Sequence, residues 1–337
     1  MSAERTTAAP ADQRDDTAEW TLAEASDGWL RPAGQAPAEP RWGHPDGLQL
    51  GLHPLDGPRG LLRLYAPYLG HDRDRLVNFI AVEPVPAGQT ERGYSELEPS
   101  RLDGVPGLRF WSSDDPADAS PRDPEAPARG VIETRDGVEW LHVHVLVEPY
   151  ANGADVWVRA SFRKDRPHEI TVAAFARETS VELDACVLTA TMGNYARLRE
   201  LHLGDRTVTA GELWPDYCEI HFAEHARFGV SELRSATDAT TDASTVSVSA
   251  TPDELAPHEA TYSDDTAEHW RYSGRRAVQT WTAQDPDPSL EALVNGRFTY
   301  WSSESPIPGG IAFENFELVE PFRQGRPLTF SIEPLDE

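Results

Sequence analysis

Apolar and polar residues alternate with a period of two along most of this chain. That period is the signature of half-buried β-strands, because successive side chains point to opposite faces. The strand-like runs are LLRLYAPYL (61–69), LVNFIAVEPV (76–85), GLRFWSS (107–113), VEWLHVHVLVEPY (138–150), ADVWVRASF (154–162) and EITVAAFA (169–176). SVELDACVLTAT (180–191), STVSVSAT (244–251), AVQTWTA (277–283), GRFTYWSS (296–303), GIAFENFELVEP (310–321) and PLTFSIEP (327–334) complete the set. Most are bounded by Gly, Pro, Asn or Asp, which break strands and make turns. Helical periodicity is scarce: NYARLRELHL (194–203) is the best candidate, and TPDELAPHEA (251–260) has room for one short turn. About twelve strands without intervening helices predict an all-β fold, an antiparallel β-sandwich of jelly-roll or concanavalin-like type with one or two short helices. Residues 1–40, rich in Ala, Pro, Asp, Glu and Thr, read as a flexible acidic arm with Trp20 and Trp29-Leu30 as anchors for one docked segment, and ordered structure beginning near Trp42. Residues 41–337 read as one large sandwich domain. The polar stretches 114–130 and 235–244 read as surface loops.

The run LHVHVLVEPYANGA (141–154) carries the most candidate chemistry. Asn152-Gly153 is a signal for a two-residue type I′ hairpin. Counting outward from it sets Glu148 opposite Trp157, Leu146 opposite Arg159, His144 opposite Ser161 and His142 opposite Arg163. One face then holds Val143, Val145, Val147, Val156, Val158, Ala160 and Phe162, a core face. The other holds His142, His144, Leu146, Glu148, Tyr150, Asp155, Trp157, Arg159, Ser161 and Arg163. Rings that stack on sugars, beside Arg, Glu and His that give directional hydrogen bonds, suit an oligosaccharide groove.

Gly137-x4-His142-x-His144-x3-Glu148 resembles the first metal motif of the cupin family. The resemblance implies a transition metal held by His142, His144 and Glu148, ligand types suited to Fe, Mn, Ni or Zn. The glycine spacings are shorter than in that pattern, and PIPGGIAFEN, nearest to the family's second motif, lacks its histidine. The balance favours no metal or other cofactor.

Other clusters bear on catalysis. GYSELEPSRLDG (93–104) places Glu96 and Glu98 on one face if extended, and paired carboxylates carry out glycoside hydrolysis. In TATMGNYARLREL (189–201), Asn194 suits a helix N-cap, and Tyr195 with Asn194, Arg197 and His142 are the parts of a polysaccharide-lyase site: a proton-abstracting Tyr or His, and Asn or Arg to neutralise a uronate. HFAEHARFG (221–229) spaces His221 and His225 as a helical pair. Val-Glu-Pro recurs at 82–84, 147–149 and 319–321, with Ile-Glu-Pro at 332–334, and reads as strand punctuation, since proline cannot donate to the ladder.

Composition narrows the partners. The formal net charge is −27, which repels nucleic acid and anionic membranes. Lys164 is the only lysine among 30 basic residues, a bias expected of a high-GC genome and of a salt-rich, halophilic cytoplasm. The two cysteines, Cys186 and Cys218, exclude a structural zinc cluster. No apolar leader or 18-residue apolar window occurs, so a cytoplasmic protein is expected. Motifs for nucleotide, dinucleotide and serine-esterase chemistry are absent.

These readings converge on a carbohydrate-active protein that binds a small molecule or oligosaccharide on one sheet face, with hydrolysis or β-elimination as its chemistry. Glu148, His144 and Tyr195 are the candidate proton-transfer residues. His142, Tyr150, Trp157, Arg159, Arg163, Asn194 and Arg197 are the candidate binding residues. A cupin-like metal-dependent enzyme and a non-catalytic binding or scaffold module are the alternatives.

Overall fold

A computed structural model describes residues 25–32, 39–52, 59–70, 76–118, 120–121, 126–191, 198–237, 244–252, 264, 274–300 and 303–335. In chain order the first strands are β1 (Ala25–Ser26), β2 (Trp29–Leu30), β3 (Arg41–Gly43), β4 (Gln49–Gly51), β5 (Leu61–Tyr65) and β6 (Leu76–Pro86). Next come β7 (Phe110–Ser113), β8 (Val131–Arg135), β9 (Val138–Val147), β10 (Val156–Arg163), β11 (Glu169–Ala176) and β12 (Leu183–Thr191). After these run β13 (Leu198–His202), β14 (Thr207–Thr209), the helix α1 (Ala210–Leu213), β15 (Ala226–Gly229), β16 (Arg234–Thr237) and β17 (Ser244–Pro252). The last are β18 (Ala277–Gln284), β19 (Glu291–Arg297), β20 (Ala312–Val319) and β21 (Pro327–Pro334).

The strands form two antiparallel sheets. The first runs β1-β2-β3-β4-β5-β6-β12-β20-β19-β15. The second runs β14-β13-β17-β18-β21-β11-β10-β9-β7, with β16 on β17 and β8 on β9. Their inner faces share one apolar core that includes Leu62, Ile80, Val82, Leu188 and Phe316 from the first sheet and Val143, Val158, Val172, Trp281 and Phe330 from the second. Two polar contacts cross that core: Asn78 Nδ2 donates to Gln279 Oε1 at 2.7 Å, and Trp281 Nε1 donates to the Phe316 carbonyl at 3.2 Å. The all-β sandwich expected from the two-residue period is therefore present, with more strands than the twelve long runs. The additional strands are mostly two to five residues long, too short to display an alternation. No helix among the described residues is long and apolar enough to cross a membrane.

Two local expectations are corrected. Leu198–His202, within the expected helix at 194–203, is a strand paired on both sides, to β14 and β17. Its register against β17 shifts between Leu198 and Glu200, and that bulge turns Leu198 and Leu201 inward at a helix-like spacing of three. Residues 221–225 form no helix; they lead irregularly into β15. Among the described residues the α-helix is the single turn α1, closed by a capping box between Thr209 and Glu212.

Part of the stretch expected to be an arm packs on the sandwich. Trp29 is fully buried in the core, and its Nε1 donates to Glu139 Oε1 at 2.5 Å. The Lys164 ammonium sits 4.2 Å from the centroid of the Trp29 ring. Residues 1–24, most of the remainder of that stretch, lie outside the described residues, as do 253–260 of the second helix candidate.

Candidate functional site

The β9–β10 hairpin keeps the expected faces but not the expected register. Leu146 stands opposite Trp157, His144 opposite Arg159, His142 opposite Ser161 and Trp140 opposite Arg163. The turn is responsible. Gly153 N–H donates to the Tyr150 carbonyl at 3.2 Å, and Tyr150 N–H donates to the Ala154 carbonyl at 2.9 Å. Gly153 takes a positive φ of 89°. This is a three-residue loop closed by a left-handed glycine, not a two-residue type I′ turn. Relative to the two-residue turn the register slips by two residues, and a slip of two preserves which side chains face the core. Val143, Val145, Val147, Val156, Val158, Ala160 and Phe162 are accordingly all buried.

The outer face of this sheet gathers His142, His144, Trp157, Arg159, Ser161 and Arg163. Trp157 stacks on Phe175 of β11 at 4.1 Å between centroids, and His144 meets Trp157 edge-on at 5.4 Å. The Arg159 guanidinium lies 5.4 Å from the Phe175 centroid, and that of Arg163 lies 5.5 Å from Trp140. His142 Nδ1 is 2.8 Å from Ser161 Oγ, and its Nε2 is 3.4 Å from Glu133 Oε2 on β8. Burial, and then the Arg159 charge, push both imidazoles down, His142 to about 4. Both are neutral at pH 7.

Two residues expected on that face serve elsewhere. Glu148 is buried, and its carboxylate accepts the backbone N–H groups of Arg101 at 2.5 Å, Leu102 at 3.2 Å and Arg109 at 3.2 Å. It anchors the 101–109 segment. Tyr150 belongs to the core, and its hydroxyl donates to the Val82 carbonyl at 2.5 Å. The cupin-like set of His142, His144 and Glu148 therefore does not assemble, and no three metal-ligating side chains converge among the described residues. Asn194, Tyr195 and Arg197 lie outside the described residues.

A second cluster occupies the outer face of the first sheet. Glu83 on β6, Thr189 on β12 and Glu317 on β20 come together there. Arg92, on the segment that follows β6, bridges the two acids: Nη1 lies 2.7 Å from Glu83 Oε2 and Nη2 lies 2.6 Å from Glu317 Oε1. Thr189 Oγ1 donates to Glu317 Oε2 at 2.6 Å. Glu83 and Glu317 are 4% and 1% exposed. Burial, reinforced by the charges of Glu317 and Glu96, pushes the Glu83 carboxyl up to about 8 in spite of Arg92. Glu96 is likewise pushed up, first by burial. Tyr94, 42% exposed, interacts with Glu83, Arg92 and Glu317. His225 is pushed down by burial and interacts with Glu317 and Arg92, and its Nε2 is 3.3 Å from Asn295 Nδ2. The cluster thus combines two buried acids, one of them with its carboxyl pushed up, a guanidinium paired to both, an imidazole pushed down and an exposed phenol.

This cluster escaped sequence reasoning because Glu83 belongs to a recurrent Val-Glu-Pro. Glu96 was singled out, but with the wrong partner: residues 95–97 form a turn, and Glu98 instead accepts the Ala151 N–H at 2.8 Å. The Arg92–Glu96 stretch following a long strand was the available signal. No protein-family model, curated protein or solved structure matches this chain.

Proposed function

We propose that this protein is a carbohydrate-active enzyme of hydrolase or lyase type, with Glu83 as proton donor and Glu317 as its carboxylate partner. One observation carries the reading: a single guanidinium stands between two glutamates, one pushed up to about 8 and the other ion-paired at 2.6 Å. Titratable groups whose environments drive their protonation states apart are the usual basis for assigning an acid and a base. Glu83, neutral at pH 7, has a proton to give to a leaving oxygen. Glu317, fixed by Arg92 and Thr189, is placed to accept a proton or to stabilise positive charge developing on a sugar ring. The exposed Tyr94 ring offers a face for stacking, and His225 a neutral hydrogen-bonding group. Glu148, which sequence reasoning put first, is assigned the structural role of holding the 101–109 segment.

The test is a screen of the full chain against neutral and acidic oligosaccharides, scored by reducing-end release and by absorbance of unsaturated products. On the substrate found, Glu83→Gln is expected to lower kcat by about 10²–10⁴-fold, the usual worth of general acid catalysis. Glu148→Gln is expected to leave kcat near that of the parent. Full activity in Glu83→Gln would remove Glu83 from the mechanism. Saturable binding without turnover across the panel would favour the non-catalytic module.

A further inference from the structure

We propose that the outer face of the second sheet is a binding site for the oxyanion group of a small ligand, a carboxylate or a phosphate, received by Arg159 between His142 and His144. The site lies on the opposite sheet from Glu83 and Glu317 and does not depend on their chemistry.

The first ground is charge. Four other arginines on this sheet and its connections have acid partners: Arg135 with Glu133 at 2.8 Å, Arg163 with Asp165 at 2.9 Å, Arg177 with Asp155 at 3.2 Å and Arg326 with Glu320 at 2.6 Å. Arg159 has no ion pair among the described residues, and its Nε is buried without a hydrogen-bond partner. In a chain of net charge −27 Arg159 is left with the longer-range charge of Glu133 and, against it, that of Arg135. Burying such a charge is costly unless something compensates it.

The second ground is the company it keeps. His144 faces Arg159 directly in the ladder, with Ser113 on its other side, and His142 is one pair further along, opposite Ser161. His142 is 5% exposed, and its Nε2 lies 3.4 Å from Glu133 Oε2. Trp111 on β7, next to Leu146, is 7% exposed with an unpartnered indole N–H. Buried polar groups are normally satisfied, so the Arg159 Nε and the Trp111 indole, both unpartnered on this face, mark a surface shaped for a ligand. The neighbours across from Arg159 and His142 are small, Ala173 on β11 and Ser161 on β10. Half-buried Trp140 and Trp157 flank the row and offer apolar edges for the body of the ligand.

The third ground is reciprocity. The charges acting on His142 are Arg159, Arg135, Glu133 and His144, and those acting on His144 are Arg159 and Asp114. In both, burial is the first cause that pushes the ring down and Arg159 is the largest charge effect. An oxyanion at the guanidinium offsets that charge, so binding raises both histidines, and lowering the pH strengthens binding by the same coupling.

The test follows the histidine ring resonances of the full chain by NMR during titration with inorganic phosphate, with glucuronate, and with neutral methyl glucoside. A saturable rise in the pKa of His142 and His144 is expected with an oxyanion and not with the neutral sugar. Comparing the phosphate and glucuronate arms identifies the source of the oxyanion. Arg159→Gln is expected to abolish the response and Arg159→Lys to retain a weakened one, which guards against a folding defect in the first variant. The proposal is overturned if neither oxyanion moves either histidine in the parent chain, or if the response persists in a folded Arg159→Gln protein.

Discussion

Four glutamates precede prolines at or near strand ends, and each carboxylate ties the sheet to what lies beside it. Glu83 holds Arg92, Glu148 takes three backbone N–H groups, Glu320 pairs with Arg323 and Arg326 at 2.6 Å, and Glu333 pairs with His168 at 2.8 Å. The reading of these motifs as strand punctuation is sound for the prolines and incomplete for the acids. The Glu83 carboxyl is pushed up by burial, which has a definite consequence for stability. Its folded pKa lies above its ordinary value of 4.5, so the folded state binds its proton more tightly than the unfolded chain does. The stability this confers is fully present below pH 4.5 and is lost as pH rises through about 8. Glu83→Gln, a neutral isostere, removes that dependence. Urea unfolding at pH 5 and pH 8 is expected to show the variant gaining on the parent as pH rises. Parallel curves for the two proteins would mean that Glu83 is ionised in the fold. Glu317→Gln removes a charge that pushes Glu83 up, so the same window is expected to move to lower pH.

At the scale of elements, alternation was legible and register was not. The long runs 76–85, 138–150, 154–162 and 169–176 coincide with β6, β9, β10 and β11, because each has enough residues to show the period. The run 296–303 was placed too late, since β19 begins at Glu291 and its inner and outer residues are both buried, which erases the alternation. The hairpin register failed because Asn152-Gly153 supports more than one turn, and the choice was made by partners distant in sequence. Pro149 cannot donate to the ladder, and the Glu148 carboxylate is committed to the 101–109 segment. Glu148→Gln weakens three charge-assisted bonds in a buried setting and is expected to cost about 1.5–3 kcal/mol in urea unfolding. A variant as stable as the parent would show that the segment is held by other contacts. Gly153→Ala, at a φ of 89°, is expected to cost about 1–2 kcal/mol more than a glycine in an ordinary extended position would.

At the scale of the molecule, the sandwich class followed from local pattern, while both candidate sites depend on which strands become neighbours. Glu83 and Glu317 meet only because β12 lies between β6 and β20, an order that no local period encodes. His142, His144 and Arg159 were foreseen together because a hairpin is a local element, and its faces survive a slip of two residues. Charge acts on the whole. With a net charge of −27 the compact state is strained by self-repulsion, which salt screens within about 10 Å at 0.1 M. The melting temperature at pH 7 is therefore expected to rise with added NaCl, steeply at first and then levelling off. A falling melting temperature would instead mean that exposed ion pairs such as Arg227–Glu291 outweigh the repulsion. Acid works in the other direction through the histidines. Burial holds His44 and His142 at about 4, so the stability they confer is complete above pH 6.5 and is lost as pH falls through 4. Glu83 and Glu314, both pushed up by burial, weaken the fold on the alkaline side of their range. Salt shortens the reach of the surface repulsion but hardly alters the desolvation of buried groups. The pH profile of the melting temperature is therefore expected to keep its shape as NaCl is added while its height increases. A profile that flattened with salt would assign the pH dependence to surface charge rather than to these buried groups.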